Sequence, residues 1–135
     1  KHIENLLKSA KITNVPFYGI LYKDSLDITN KDREELISFI EKLEYNKILL
    51  VHGTDTMDIT AEFLANKIKN KTIVLTGAMQ PYSIDPVEAV ANFMLGFGYL
   101  KAAKSNGIYI AMHGFVAEYT KIIKNKQKGI FECLN

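Results

Sequence analysis

Three short apolar runs, Ile48-Leu49-Leu50-Val51, Thr72 to Thr76 and Ile108 to Met112, each give way to a polar or glycine-bearing turn, and stretches of helical length separate them. Short β-rich runs alternating with longer helical spacings argue for a parallel sheet covered by helices. Connections of this length are right-handed crossovers that set successive strands parallel.

Between the runs, the pattern is specific enough to place elements. Ile3, Leu6 and Leu7 share a face and predict a short first helix. Val15 to Tyr22 is aromatic and β-branched and reads as a strand whose pairing is limited at Pro16. Leu36, Ile37, Ile40 and Leu43 form one stripe of a helix over Asn30 to Leu43, and Asp32, Glu34 and Glu35 in its first turn suit the positive end of the helix dipole. Met57, Ala61, Leu64, Ala65 and Ile68 repeat the helical spacing. Asp85-Pro86 with Glu88 reads as a helix start: an N-cap, a proline at the first helical position and a reciprocal acidic partner. That helix is expected to run to about Lys104 and stop at Asn106-Gly107. The last twenty residues read as a loop and a short helical turn.

The resulting order alternates four strands with three helices, and it has a functional consequence. In a parallel sheet the carboxyl ends of the strands lie along one edge, where α/β folds place their ligands. Asp24-Ser25, His52 to Thr56, Thr76 to Pro81 and His113-Gly114 are expected to converge there. Among them, Thr54 beside Asp55 supplies a hydroxyl and an anion, with Gly53 allowing a sharp turn. A neutral threonine hydroxyl is a poor nucleophile until a base takes its proton. A lysine can be that base, and the basic tail of Lys121, Lys124, Lys126 and Lys128 is placed to return over the edge.

Composition narrows the remaining classes. The chain has 135 residues, 47% of them hydrophobic, which is enough for one core and one domain. Seventeen basic and 15 acidic residues leave a net charge of +2, too even a distribution for a nucleic-acid or anionic-lipid surface. Cys133 is the only cysteine, so no internal disulfide and no thiolate metal cluster is expected, and a reducing, cytoplasmic setting fits. No apolar run approaches the roughly 20 residues needed to cross a bilayer. No secretory signal is visible, and the start at Lys1 instead of Met suggests sequence upstream.

Several motifs together resemble a known family. Val51-His52-Gly53-Thr54-Asp55-Thr56-Met57, followed by Val74-Leu75-Thr76-Gly77-Ala78-Met79-Gln80-Pro81, resembles the bacterial-type L-asparaginases, the threonine amidohydrolases of the asparaginase/glutaminase family. Asp24-Ser25-Leu26-Asp27-Ile28-Thr29 is similar to that family's Asp-Ser-x-Asp-Met-Thr loop, and Ile108 to Gly114 with Lys124-Asn125 to its later strand and lysine segment. The resemblance covers nearly the whole chain. It implies a flavodoxin- or Rossmann-like three-layer α/β domain over residues 1–135, corresponding to most of the family's amino-terminal domain. The implied reaction is hydrolysis of L-asparagine to L-aspartate and ammonia, with L-glutamine a weaker substrate, no cofactor, no metal and a homo-oligomeric protein.

By resemblance, Thr54 matches the threonine that, with its aspartate and a lysine, activates a water or hydroxyl against the side-chain amide. Asp55 matches the carboxylate that also holds the substrate α-ammonium, and Lys124 the lysine. Ser25 matches the serine that contacts the substrate α-carboxylate, and Ala78 the residue whose backbone carbonyl meets the leaving amide. The chain also departs from the family. It lacks the first-strand Thr-Gly-Gly-Thr-Ile motif with its nucleophilic threonine, the tyrosine-bearing loop after it, and the smaller carboxy-terminal domain. Leu26 stands where relatives often carry a polar substrate contact, and Asp85-Pro86-Val87-Glu88 replaces a more usual Asp-Gly or Asp-Ala. An inactive or truncated domain that binds amino acid or serves assembly is the alternative.

Simpler readings compete with each candidate. A Thr-Asp pair after a strand ordinarily caps a helix. His52 and His113 could form a metal pair, yet no carboxylate or cysteine spacing completes one. Gly96-Phe97-Gly98 has Lys101 where a third glycine would stand and lies inside a helical pattern, so it is not a dinucleotide fingerprint.

Overall fold

The computed structural model describes residues 2–21 and 23–134. A first helix, α1 (His2–Ser9), precedes an irregular stretch and a 3₁₀ turn over Ser25–Asp27. Then follow α2 (Asn30–Lys42), β1 (Lys47–Val51), α3 (Met57–Lys67), β2 (Thr72–Thr76), α4 (Pro86–Ala102), β3 (Gly107–Met112) and β4 (Phe115–Glu118). The chain ends in a second 3₁₀ turn, Tyr119–Lys121, and a hairpin of β5 (Ile122–Asn125) and β6 (Ile130–Cys133).

The four-stranded sheet has the order β1-β2-β3-β4, parallel across β1, β2 and β3 and antiparallel between β3 and β4. Helices cover both faces, and the period-2 alternation of strand side chains decides which residue meets which layer. Ile73, Leu75, Ile108, Ile110 and Met112 join Leu36, Ile37 and Ile40 of α2 and Met57, Ala61 and Leu64 of α3 in one core. On the other face Leu49, Val74 and Ala111 meet α4 and α1 through Phe93, Leu100 and Leu6. Gly96 lets α4 approach closely, because a Cβ there would lie 2.9 Å from Leu49 Cδ1 and 3.3 Å from Ala111 Cβ.

Helix starts follow local chemistry. Thr29 caps α2 in a full capping box: its Oγ1 accepts from Asp32 N and Asp32 Oδ2 accepts from Thr29 N. Lys23 donates to the same carboxylate at 2.9 Å, and the backbone bond from Thr29 followed by this contact lowers the Asp32 pKa to about 2. Asp85 caps α4, accepting from Glu88 N at 3.0 Å, with Pro86 at the first helical position. The expected return bond is absent, however: Asp85 N donates to Pro81 O, and the Glu88 carboxylate turns to the Gly77–Gln80 loop.

Two expected elements differ from the structure. Residues 15–21 form no strand, and Tyr22 lies outside the described residues. A strand needs a neighbour to complete its ladder, and β1 pairs only with β2 among the described strands. Val15, Phe17, Tyr18 and Ile20 stay partly exposed, with Tyr18 edge-on to Phe39 at 5.5 Å. The last twenty residues are not a loop and helical turn but three strands and a 3₁₀ turn. The sequences Phe-Val-Ala-Glu, Ile-Ile-Lys-Asn and Ile-Phe-Glu-Cys neither alternate strictly nor form an unbroken apolar run, so their pattern does not mark them as strands. His113-Gly114 is accordingly a two-residue hairpin turn, both residues at positive φ (51° and 86°), so β4 returns antiparallel.

Leu64, fully buried between α3 and the sheet, tests the packing. Leu64→Ala should lower the unfolding free energy by about 2–5 kcal/mol in a denaturant titration. A loss below about 1 kcal/mol would mean that this layer is not close-packed.

Candidate active site

The ends of β1, β2 and β3 lie on one rim, as parallel strands require. His52 N donates to Thr76 O at 2.8 Å, and a Cβ on Gly77 would collide with the His52 carbonyl oxygen. Only glycine lets these two turns touch. Ser25 reaches the same rim from irregular chain, in a 3₁₀ turn whose Leu26 N is capped by Asp24 Oδ1. It packs against Gly53, where an added Cβ would lie 2.7 Å from Ser25 Cβ.

Ser25 is buried, 1% exposed. Its Oγ accepts from Asp55 N at 3.1 Å, and its carbonyl oxygen accepts from Thr56 Oγ1 at 2.8 Å. Ser25 therefore holds the turn that carries Asp55, while its own O–H remains able to donate. Thr56, not Thr54 or Asp55, occupies the N-cap position of α3, and no side chain caps that helix. The ordinary capping role of a Thr-Asp pair is thus not the one played here.

Thr54 and Asp55 turn instead to the hairpin. Lys124 Nζ donates to Thr54 Oγ1 at 2.8 Å and to Asp55 Oδ1 at 2.6 Å. β5 carries Lys124 opposite Phe131 on β6, so the hairpin register fixes where the lysine arrives. Its side chain is 14% exposed and that of Asp55 is 36% exposed, which places the pair at the edge of solvent. The hydrogen bond from Lys124 is the main reason the Asp55 pKa falls below its ordinary 3.8; burial opposes this, and the charges of Lys124 and Lys126 add to it.

Beneath the rim, His52 organises the turn. Its Nδ1 lies 2.6 Å from Gly53 O and its Nε2 2.8 Å from Thr60 Oγ1, which accepts from Arg33 Nε at 2.8 Å. Burial lowers the His52 pKa, the Gly53 bond raises it and the Arg33 charge lowers it, with a net fall. The ring is neutral, with Nδ1–H donating to the carbonyl and Nε2 accepting from the hydroxyl. Arg33 is itself buried, bonded to Asn30 Oδ1 and lying over the Phe63 ring at 5.8 Å.

The loop after β2 is held just as closely. Asn92 Nδ2 donates to Gly77 O at 2.9 Å, and Asn92 Oδ1 accepts from His113 N at 3.0 Å. Ala78 sits between that bond and the grip of Glu88 on Met79 N and Gln80 N. His113 bonds to Glu88 and Phe131, so both nitrogens of each histidine have partners other than a common ion. Among the described residues no three His, Cys, Asp or Glu side chains cluster as a metal site would need.

The structure thus brings Ser25, Thr54, Asp55 and Lys124 into one bonded group and seats Ala78 in the loop adjoining His52. Arg33, Thr60, Glu88 and Asn92 were not anticipated in the site. Only Glu88 had a sequence signal, and that signal pointed to a helix cap.

The family model for the amino-terminal domain of asparaginases matches residues 1–131. The chain belongs to the asparaginase family. It is 31% identical over 96 residues to an L-asparaginase of Thermococcus kodakarensis, a match covering 68% of this chain and 29% of that protein. It is 28% identical over 129 residues to L-asparaginase 2 of Bacillus subtilis, covering 90% and 34%. The crystal structure of a probable cytoplasmic L-asparaginase from Campylobacter jejuni superposes with a TM-score of 0.84 at 26% identity, over 97% of this chain and 44% of that one. The chain spans about a third of the length of the curated relatives it matches. The asparaginase α/β architecture expected from the sequence is therefore present, as a mixed, mostly parallel sheet.

The Lys124–Asp55 contact makes stability depend on acid. A lowered folded-state pKa contributes stability that is complete above the unfolded value of 3.8 and lost as the pH falls through the lower folded value. Melting temperatures taken from neutral pH downward should therefore fall more steeply below 3.8 for the wild type than for Asp55→Asn. Parallel curves would mean that the ion pair does not form in solution.

Proposed function

We propose that this domain carries the amide-hydrolysing centre of an L-asparaginase-type amidohydrolase, which converts L-asparagine to L-aspartate and ammonia and takes L-glutamine more weakly. The observation that carries the reading is the double donation of Lys124 Nζ to Thr54 Oγ1 and Asp55 Oδ1. A threonine hydroxyl gains basicity or nucleophilicity only when a partner moves its proton, and the Thr54 hydroxyl shares its lysine with the Asp55 carboxylate.

In the proposed mechanism the amino-acid end of the substrate is gripped by opposite charges. Its α-ammonium lies on Asp55, its α-carboxylate accepts from the Ser25 hydroxyl, and its side-chain amide is presented to the Ala78 carbonyl. The attacking water passes a proton through Thr54 to the Thr54–Lys124–Asp55 group as the new C–O bond forms at the amide carbon. The same proton returns through Thr54 to the amide nitrogen as the C–N bond breaks and ammonia leaves. Holding the reacting atoms in place can supply on the order of 7–11 kcal/mol of barrier reduction. A homo-oligomeric, cytoplasmic protein acting on a small molecule completes the reading. Its supports are the family membership, the single cysteine and a sequence in which no helix among the described residues is long and apolar enough to cross a membrane.

Ammonia release from L-asparagine by the wild type, Thr54→Ala and Lys124→Met tests the assignment. Both variants should lose at least about 100-fold in rate, the scale of one positioned acid–base group. Equal rates in all three would remove Thr54 and Lys124 from the reaction. A folded wild type that binds L-aspartate, with binding lost in Asp55→Ala, but releases no ammonia would assign the domain to binding alone.

A further inference from the structure

Glu88 occupies the third position of α4, where an acidic side chain normally folds back onto its own helix cap. It does not. Its Oε1 and Oε2 accept from Met79 N at 3.0 and 2.9 Å, Oε1 accepts from Gln80 N at 3.0 Å, and Oε2 lies 2.7 Å from His113 Nε2. One carboxylate in α4 thus gathers two consecutive amides of the loop after β2 and the imidazole at the end of β3.

Two features turn this cluster into a positioning device. The first is the planarity of the peptide. The Ala78 carbonyl and the Met79 N–H belong to one trans peptide plane and point in opposite directions. Fixing the Met79 N–H on Glu88 therefore aims the Ala78 carbonyl away from Glu88, and an anion on the N–H side polarises the same peptide and strengthens its oxygen as an acceptor. The preceding carbonyl, of Gly77, is held independently by Asn92.

The second feature is the route through His113. Phe131 N donates to His113 Nδ1 at 3.0 Å; a backbone amide can only donate, so Nδ1 is bare and the ring proton sits on Nε2, donating to Glu88. Phe131 pairs directly with Lys124 in the β5–β6 hairpin. The lysine hairpin and the Ala78 loop are consequently joined by a continuous path from Phe131 through His113 to Glu88. His113 holds φ 51° in its turn, a conformation in which asparagine is the usual residue before glycine. A histidine here accepts backbone strain and gains two bonds that asparagine could not make at that reach.

We propose that Glu88 and His113 are positioning residues that aim the Ala78 carbonyl at the leaving amide nitrogen and hold it in register with Lys124. The role of the carbonyl rests on the amidohydrolase reading; the aiming of the peptide does not. As the departing nitrogen takes its proton it becomes a stronger donor, so the bond to the Ala78 oxygen tightens in the transition state. Misaiming that oxygen should lower kcat more than it raises KM.

The test uses the full chain in two experiments. In amide NMR, Met79 and Gln80 should show the downfield proton shifts of donors to a carboxylate. In Glu88→Gln, which keeps the shape of the side chain but removes its charge and turns an NH2 instead of an accepting oxygen toward the donors Met79 N and His113 Nε2, these shifts should collapse and exchange quicken roughly tenfold or more. His113→Asn, which keeps a favourable turn residue, should move the Met79, Gln80 and Phe131 amides together. In ammonia-release assays each variant should lower kcat about tenfold with KM changed less than about twofold, and the double variant should lose no more than the worse single one.

Unchanged Met79 and Gln80 amides in Glu88→Gln would overturn the proposal, as would independent, multiplying losses in kcat. If the wild type releases no ammonia, the amidohydrolase reading fails by itself. The aiming of the peptide is then decided by the NMR pattern: collapse in Glu88→Gln with linked movement in His113→Asn supports it, and unlinked or absent changes reject it.

Discussion

Lys124 meets Thr54 and Asp55 across 70 and 69 residues of chain, and the rest of the site depends on that contact. Without it, Thr54 is an ordinary hydroxyl after a strand and Asp55 a surface carboxylate. The contact is possible because two different pieces of architecture end at one rim. The parallel strands deliver the turn after β1, and the β5–β6 hairpin delivers the lysine opposite it. Ordering a long, flexible lysine has an entropic cost, offset here by two bonds to one nitrogen in a place that is only 14% exposed.

The surrounding polar groups are arranged so that each turn is held from beneath. His52, neutral because burial disfavours its charge, holds the Gly53 carbonyl and leans on Thr60 and Arg33. Asn92 and Glu88 hold the two sides of Ala78. Burial alone would raise the Glu88 pKa. The hydrogen bonds from His113, Met79 and Gln80 more than offset it, and the group stays ionised further into acid than an ordinary glutamate. No buried side-chain nitrogen or oxygen among the described residues is left without a partner, so the polar groups beneath the rim carry no unmade hydrogen bond.

Much of this was legible in the sequence, for a physical reason. Residues 72–76 and 108–112 are largely buried strands and residues 48–51 a half-buried edge strand, all with unbroken apolar runs that composition marks, and the stripes through Leu36–Ile40 and Met57–Leu64 mark the helices above them. Parallel topology then places Thr54 and Asp55 on the rim without any contact being known. What was not legible depends on partners. Residues 15–21 have strand composition, but composition cannot supply the neighbour a strand needs. The strands β4, β5 and β6 neither alternate strictly nor run unbroken apolar, so nothing in their composition marks them. Glu88 has a local meaning as a cap and a tertiary one as a clamp, and only the fold decides between them. Thr29 and Asp32 form the capping box that the Thr-x-x-Asp spacing allows.

A crystal structure of the chain with L-aspartate bound would test the central claim most directly. The account predicts Lys124 Nζ within hydrogen-bonding distance of both Thr54 Oγ1 and Asp55 Oδ1, with the ligand α-ammonium on the free side of the Asp55 carboxylate. A structure in which Lys124 points to solvent while the ligand occupies the rim would contradict it.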